Sequence, residues 1–245
     1  MTDIERLANI LKASRRLVVF TGAGISVPSG IPDFRSADGL YNRDSGRSVP
    51  PEQIISRSFF DRDPAAFYEF YRGAMLYENA KPNKAHRFFA ALEKDGRDVA
   101  VVTQNIDGLH QAAGSTRVFE LHGSVKRNNC MRCGAFYGTD AILTKEPVPH
   151  CPRCGGIIKP DVVLYEEPLD MDVVSGAVAA IEKADVLVVV GTSLVVYPAA
   201  SYLRYFRGGS LILINKSSTD YDVQADLAFH RDVIDVVTEL EQLGV

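Results

Sequence analysis

The sequence predicts an α/β fold: a mostly parallel sheet with helices on both faces, interrupted by a zinc-binding insertion. Three observations carry this. First, short apolar runs at Leu17–Phe20, Val99–Thr103, Val186–Val190 and Leu211–Ile214 alternate with helical patterns, which implies right-handed crossovers and parallel strands. Second, each run ends in a polar cluster: Thr21-Gly-Ala-Gly24, Gln104-Asn-Ile-Asp107, Gly191-Thr-Ser193 and Asn215-Lys-Ser-Ser218. In an open parallel sheet such carboxyl ends face one crevice. Third, the cysteines form two C-x-x-C pairs within one stretch.

Taken in order, Asp3 to Ala13 places Ile4, Leu7, Ala8 and Leu11 on one face and reads as an amphipathic helix, not a signal segment. The strand Leu17–Phe20 opens into a loop, Thr21 to Arg35. Gly22 and Gly24 let the backbone turn tightly and approach a phosphate, as in a Rossmann-like dinucleotide site. The strict fingerprint needs a third glycine where Val27 stands. Pro28 and Pro32 resist any long helix there. The loop therefore starts as a phosphate cradle and ends, stiff and irregular, in Asp33-Phe34-Arg35.

Residues 36–83 are turn-rich and then aromatic, with Phe59, Phe60, Phe67, Tyr68, Phe70, Tyr71 and Tyr77 read mainly as a small core. Asp63 suits the N-cap of a helix beginning at Pro64. A helix is expected over Lys84–Lys94, then strand Val99–Thr103, then a short strand, Val118–Leu121, ending at His122-Gly123. Ser124 to about Lys159 is read as an insertion, and Val162–Tyr165 as the return of the main sheet. Helices at Met171–Lys183, Pro198–Arg207 and Val233–Leu243 complete the pattern.

Composition is that of an ordinary globular chain, with 46% hydrophobic and 24% charged residues. A net charge of −4 gives no electrostatic argument for direct nucleic-acid or anionic-membrane binding. No apolar run is long enough to span a bilayer. The expectation is a cytoplasmic monomer.

Cys130 and Cys133 are separated from Cys151 and Cys154 by residues 134–150, which matches the spacing of about 15–20 residues in zinc sites. Two disulfides or redox pairs are the alternatives. Disulfides are disfavoured without an export signal, and a redox pair needs no second copy. Four protein thiolates leave no open coordination position, so the expected zinc is structural.

Among the five histidines, His122 is singled out because it ends a strand on the crevice side, where a neutral imidazole can take a proton from a hydroxyl. A structural role is its alternative. His86, His110, His150 and His230 are read as packing or surface residues. Asp107 suits an amide or ribose hydroxyls, or else a helix N-cap. Asn105 offers donors and an acceptor to a ribose or water. Arg35 suits a pyrophosphate or a loop acid. Tyr41, close to the loop, is a further candidate cofactor contact. No serine or cysteine nucleophile with an adjacent base is visible, which argues against ordinary hydrolase chemistry.

Together the motifs resemble those of the sirtuins, the silent information regulator family of NAD-dependent protein deacylases. The matching stretches are Gly22-Ala-Gly-Ile-Ser26, Ser29–Arg35, Thr103–His110, Leu121-His-Gly123, both C-x-x-C pairs, Lys159–Val163, Gly191–Leu194, Tyr197-Pro-Ala199 and Ile214-Asn215. The resemblance implies a Rossmann-like NAD-binding domain (1–35, 81–122 and 160–245) plus a small domain made of a helical insert (36–80) and a four-cysteine zinc ribbon (123–159), with NAD lined by Gly22, Ala23, Gly24, Ser26, Phe34, Arg35, Gln104, His122, Gly191, Thr192, Ser193, Asn215 and Val233. It implies that Phe34 shields the anomeric carbon, that Ile106 and Asp107 hold the nicotinamide carboxamide, that Asn105 orders ribose or water, and that His122 is the general base. NAD is then a consumed co-substrate: the acyl oxygen attacks the ribose, giving an alkylimidate, and lysine, nicotinamide and O-acyl-ADP-ribose leave. The acetyl-lysine protein or peptide lies as a strand between Val163, Leu164, Tyr165 and Glu166 on one side and Leu194, Val195, Val196 and Tyr197 on the other.

Two departures stand out. The family commonly has Phe-Gly-Glu where this chain has Tyr165-Glu166-Glu167, which puts the peptide path in question and is expected to favour basic substrates. Desuccinylating relatives carry Tyr-x-x-Arg in the helical insert; here Tyr68 is followed by Tyr71, with Arg72 one residue out of register. Short neutral acyl groups, mainly acetyl, are expected. A protein mono-ADP-ribosyltransferase and a non-catalytic NAD-binding sensor or scaffold are the alternatives.

Overall fold

The computed structural model describes residues 1–34, 39 and 49–245. Its strands are β1 (Arg16–Thr21), β2 (Asp98–Thr103), β3 (Val118–Glu120), β4 (Gly123–Cys130), β5 (Phe136–Tyr137), β6 (Ile158–Val162), β7 (Val186–Val190), β8 (Ser210–Ile214) and β9 (Leu227–Phe229). Its α-helices are α1 (Asp3–Ala13), α2 (Pro51–Ile54), α3 (Arg57–Arg62), α4 (Pro64–Ala74), α5 (Lys84–Lys94), α6 (Leu109–Ala113), α7 (Met171–Lys183) and α8 (Val233–Gln242).

Six strands form one sheet in the order β3-β2-β1-β7-β8-β9, and every pairing is parallel. The order reverses between β1 and β7, which is the switch point of a doubly wound sheet and the place where such folds bind ligands. The strands are near-continuous apolar runs because both faces are covered. On one face Leu17, Val19, Val186 and Val188 pack with α1, α5 and α8 through Leu7, Leu11, Phe88, Phe89, Val236 and Val237. On the other, Val18, Phe20, Leu187 and Val189 pack with Ala177, Ile181 and Leu203. Each fully buried branched or aromatic side chain here stabilises the fold by about 1.5–3 kcal/mol.

The helices begin where their sequences cap them. Thr2 and Glu5 form a capping box at α1. Asn83 accepts from Ala85 and His86 at α5. Asp63, Asp170 and Asp232 accept from the first turns of α4, α7 and α8.

A second, three-stranded sheet has the order β5-β4-β6, with antiparallel pairings. Its core also contains the aromatics of the helical insert: Phe59, Phe60, Phe67, Tyr68 and Tyr71 pack with Val125, Ile142 and Ile158. Tyr68 Oη donates to the Ile158 carbonyl, and Arg72 Nε donates to the Ile142 carbonyl at 2.7 Å. The insert and the cysteine-bearing segment thus share one core.

Two expected elements differ. Val162–Tyr165 does not rejoin the main sheet. Val162 pairs with Gly123 of β4, and Tyr165 bridges Ser56. An apolar run reads alike in either sheet, but return to a parallel sheet needs a long crossover, and the antiparallel hairpin with β4 captures the run first. The segment 198–207 is a 3-10 helix over Ala199–Tyr205, not an α-helix.

Candidate functional site

β1, β2, β7 and β8 deliver their carboxyl-terminal loops to one cavity of about 960 Å³. From the loop after β1 it receives Gly22, Ala23, Gly24, Ser26 and Phe34; from the loop after β2, Gln104, Asn105, Ile106 and Asp107. His122, at the entry to β4, lines it too, as do Gly191, Thr192 and Ser193 after β7, Asn215 after β8 and Val233 at the start of α8. Val163, Leu164, Tyr165 and Glu166 line it as well, and so do Val196 and Tyr197. Leu194 is buried and, with Val195, does not line the cavity. Arg35 and Tyr41 lie outside the described residues.

The glycines at the switch point bring two loops together. A Cβ on Gly22 would stand 2.7 Å from Thr192 Cβ, and one on Gly24 would stand 2.7 Å from Gly191 Cα. Gly24 N–H already donates to the Gly191 carbonyl at 2.8 Å. The close approach these glycines make here is therefore to the chain after β7. Among the described residues, β1 is followed by two single 3-10 turns, Ala23–Ile25 and Val27–Ser29, in keeping with the prolines.

Behind the cavity floor the polar side chains are cross-linked. Asn105 Nδ2 donates to the Gly22 carbonyl and to Ser26 Oγ, both at 3.1 Å. Ser26 Oγ donates to Asp107 Oδ2 at 2.7 Å, and Leu109 N–H donates to Asp107 Oδ1 at 2.8 Å. With both amide hydrogens of Asn105 engaged, its Oδ1 remains as an acceptor. Burial raises the Asp107 pKa, the Glu120 charge adds to this, and the Leu109 and Ser26 bonds and Lys126 oppose it. Asp107 lines the cavity and accepts from the first residue of α6, although the N-cap position itself is held by Gly108.

His122 Nδ1 lies 3.0 Å from the Gln104 carbonyl. A carbonyl accepts only, so Nδ1 carries the hydrogen and Nε2 keeps its lone pair. Burial lowers the His122 pKa, and the Gln104 bond opposes that only in part. The ring is thus neutral at pH 7 and able to accept a proton.

Cys130, Cys133, Cys151 and Cys154 place their sulfurs within 4.8 Å of one another. Cys130–Cys154 and Cys133–Cys151 are 3.4 and 3.7 Å apart. A tetrahedral ion with four Zn–S bonds of about 2.3 Å spaces its sulfurs about 3.8 Å apart, so the residues fit zinc. Arg132 N–H points at Cys130 Sγ, and Tyr137 Oη lies 3.0 Å from Cys151 Sγ. The cluster lies in the second sheet, its residues do not line the cavity, and the metal is structural.

Tyr68 and Tyr71 are fully buried in the small core, and neither they nor Arg72 line the cavity. Glu166 meets Ser58, accepting from its N–H at 2.9 Å and its Oγ at 3.0 Å. Its carboxylate is thus engaged within the chain, which removes the ground for expecting a preference for basic substrates. Sequence reasoning missed Lys126, Arg231 and Asp232 as cavity residues, while Lys216 lines it as part of the polar cluster after β8. For Asp232 a signal existed: it is the N-cap of the helix that Val233 begins. Lys126 and Arg231 gave none.

Comparison with known proteins agrees with this geometry. Residues 22–198 match the model of the Sir2 family. The chain is 56% identical over 231 residues to an NAD-dependent protein deacetylase of Clostridium perfringens, covering 94% of this chain and 95% of that protein. It is 45% identical over 238 residues to one of Staphylococcus aureus, covering 97% and 98%. A solved Sir2 with a deacetylated p53 peptide and 3'-O-acetyl ADP ribose superposes with a TM-score of 0.91 at 38% identity, covering 98% of each chain. A Sir2–p53 peptide–NAD+ structure gives 0.87 at 38% identity, covering 100% of this chain and 99% of that one. A six-stranded parallel sheet with its cavity at the switch point, a four-cysteine cluster and these likenesses have one reading: the chain belongs to the Sir2 family.

Proposed function

We infer that this chain is an NAD-dependent protein-lysine deacetylase, transferring the acetyl group to ADP-ribose and releasing nicotinamide. The observation that carries the reading is the meeting of His122, Asn105 and the Ser26–Asp107 pair in one cavity beside the Val163–Glu166 segment. NAD, as co-substrate, supplies nicotinamide as leaving group and the ribose that receives the acyl group. No protein nucleophile is required.

Each residue then has a task its surroundings support. His122, with Nδ1 held by the Gln104 carbonyl, takes a ribose hydroxyl proton at Nε2. Asn105 presents Oδ1 to a ribose hydroxyl or a water. Ile106 and Asp107 receive the nicotinamide carboxamide. Gly22, Ala23, Gly24, Thr192, Ser193, Asn215 and Val233 line the path of the dinucleotide, and Phe34 covers the ribose. The peptide enters as a strand between residues 163–166 and 194–197. Where Ile55, Leu76 and Val125 line the cavity it is apolar, and the engagement of Tyr68 and Arg72 elsewhere favours acetyl over acidic acyl groups.

The division into a dinucleotide-binding domain (1–35, 81–122, 160–245) and a small domain (36–80, 123–159) belongs to the same proposal. It is supported by the absence of 49–80 and 123–159 from the six-stranded sheet, while residues 160–162, as part of β6, pair with β4 in the second sheet. We further propose a cytoplasmic monomer that takes no nucleic acid or membrane as partner. No helix among the described residues is long and apolar enough to cross a membrane.

The test is NAD labelled in its adenosine, incubated with an acetyl-lysine peptide. Label in free O-acetyl-ADP-ribose supports the reading. Label retained on protein, without that product, replaces it with ADP-ribosyl transfer.

A further inference from the structure

Among the described residues, the non-glycine positions with left-handed backbone are Glu166, at φ 75°, and Leu194, at φ 55°. Glu166 lines the cavity assigned above to the peptide, and Leu194 is buried and does not. Left-handed backbone is unfavourable for a residue with a Cβ, and it persists where the surroundings hold it. For Glu166 the holding contacts are explicit. Leu164 O accepts from Glu167 N–H at 3.0 Å, closing a turn in which Glu166 takes the position that ordinarily suits glycine.

This turn closes the start of α3. Arg57 N–H donates to the Tyr165 carbonyl at 2.9 Å, and Tyr165 N–H donates to the Ile55 carbonyl at 3.0 Å. Ser58 N–H and Oγ both reach the Glu166 carboxylate. Phe59 N–H is taken by Ser56 Oγ at 3.2 Å. The first three amides of the helix are thereby satisfied, two of them by the turn, and an anion at a helix N-terminus is favourably placed. Arg57 Nη1 and Lys159 Nζ hold the adjacent Glu167 at 3.3 and 3.1 Å.

The Glu166 main chain is left over. Its N–H and C=O make no hydrogen bond among the described residues, although those of Tyr165 are used by the helical insert. The side chain points to α3, and the unpaired main-chain groups belong to a segment that walls the cavity. We propose that Glu166 is a positioning residue for the substrate peptide: its carboxylate, clamped to the start of α3, fixes its own N–H and C=O where an added strand pairs with them. The inference rests on the deacetylase reading for the identity of the peptide. It assigns this chain's glutamate, in the place of the glycine its relatives commonly carry, a work of its own.

The test compares the full chain with Glu166→Gly and Ser58→Ala. Glycine tolerates the backbone angle, so Glu166→Gly removes the clamp without adding strain. Binding of a fluorescein-labelled acetyl-lysine peptide is read by anisotropy without NAD, NAD binding is read separately, and melting temperatures are recorded. Glu166→Gly is expected to weaken peptide binding about fivefold and to leave NAD binding within about twofold, with Ser58→Ala changing peptide binding in the same direction by less. Equal peptide affinity in Glu166→Gly and the parent overturns the proposal, and so does parallel weakening of peptide and NAD. If Glu166→Gly melts too early to assay, Ser58→Ala decides on the same two readouts. Peptide binding by the parent without turnover defeats the deacetylase reading and leaves this one standing; no peptide binding by the parent defeats both.

Discussion

The imidazole of His122 hangs from the main chain of the residue that follows β2: its Nδ1 lies 3.0 Å from the Gln104 carbonyl. The strand end that brings Asn105 and Asp107 to the cavity thus also sets the tautomer of the ring opposite. His122→Ala is expected to retain NAD binding and to lose deacetylation by at least about a hundredfold, the range of general-base removal. Turnover near that of the parent, measured on an acetyl-lysine peptide, would contradict the base role.

The acid limb of the pH profile follows from the same ring. Burial lowers its pKa from 6.5, so the free-base form persists to a pH below that value. kcat/KM is expected to hold from pH 7.5 through 6.5 and to fall only below. A fall centred above pH 6.5 that disappears in His122→Ala would contradict the assignment.

Ser26 links the two polar residues of the floor, accepting from Asn105 and donating to Asp107. Ser26→Ala frees both side chains at once. It is expected to lower kcat/KM for NAD about tenfold, in line with the loss of a buried hydrogen bond and the partners it leaves unpaired. An unchanged value would show that Asn105 and Asp107 are positioned without it.

His86 and His110 form a buried pair with ring centroids 4.8 Å apart. Among the described residues, His86 Nε2 and His110 Nδ1 have no hydrogen-bond partner. Burial drives their pKa values down to about 4 and about 3. Both are neutral in folded and unfolded chains above pH 6.5 and so add no pH dependence there. Below it the unfolded chain takes up protons that the folded chain refuses, and stability falls by roughly 1 kcal/mol per pH unit for each ring, until the folded values are reached. The melting temperature should drop steadily from pH 6.5 towards 4, and less steeply in His110→Asn. Identical slopes in the two proteins would contradict this account.

The four cysteines tie Cys130 at the end of β4 to the segment that returns as β6. Cys151→Ser, or prolonged chelation, is expected to release zinc and lower the melting temperature by several degrees or more, because metal binding is part of folding. A melting curve that chelator leaves untouched would argue against a structural metal.

The parallel sheet was legible because Leu17–Phe20, Val99–Thr103, Val186–Val190 and Leu211–Ile214 are apolar runs with polar stops, and those stops meet in the cavity. The cysteine cluster was legible because two C-x-x-C turns constrain geometry locally. Less local matters were not. Val162–Tyr165 is apolar enough for either sheet, and only its pairing with Gly123 decides. The Glu166–Ser58 contact joins segments far apart in the chain, and no pattern near either residue announces it. The His86–His110 contact likewise arises only when α5 packs on α6. Lys126 and Arg231 reach the cavity from positions that carry no motif.

One measurement tests the central claim directly: mass spectrometry of the products formed from NAD and a panel of lysine peptides bearing acetyl, propionyl and succinyl groups. The account predicts deacylated peptide, nicotinamide and O-acyl-ADP-ribose in equal amounts, fastest with acetyl and slowest with succinyl. Deacylated peptide without nicotinamide, or nicotinamide with the acyl-lysine intact and ADP-ribose on protein, would contradict it.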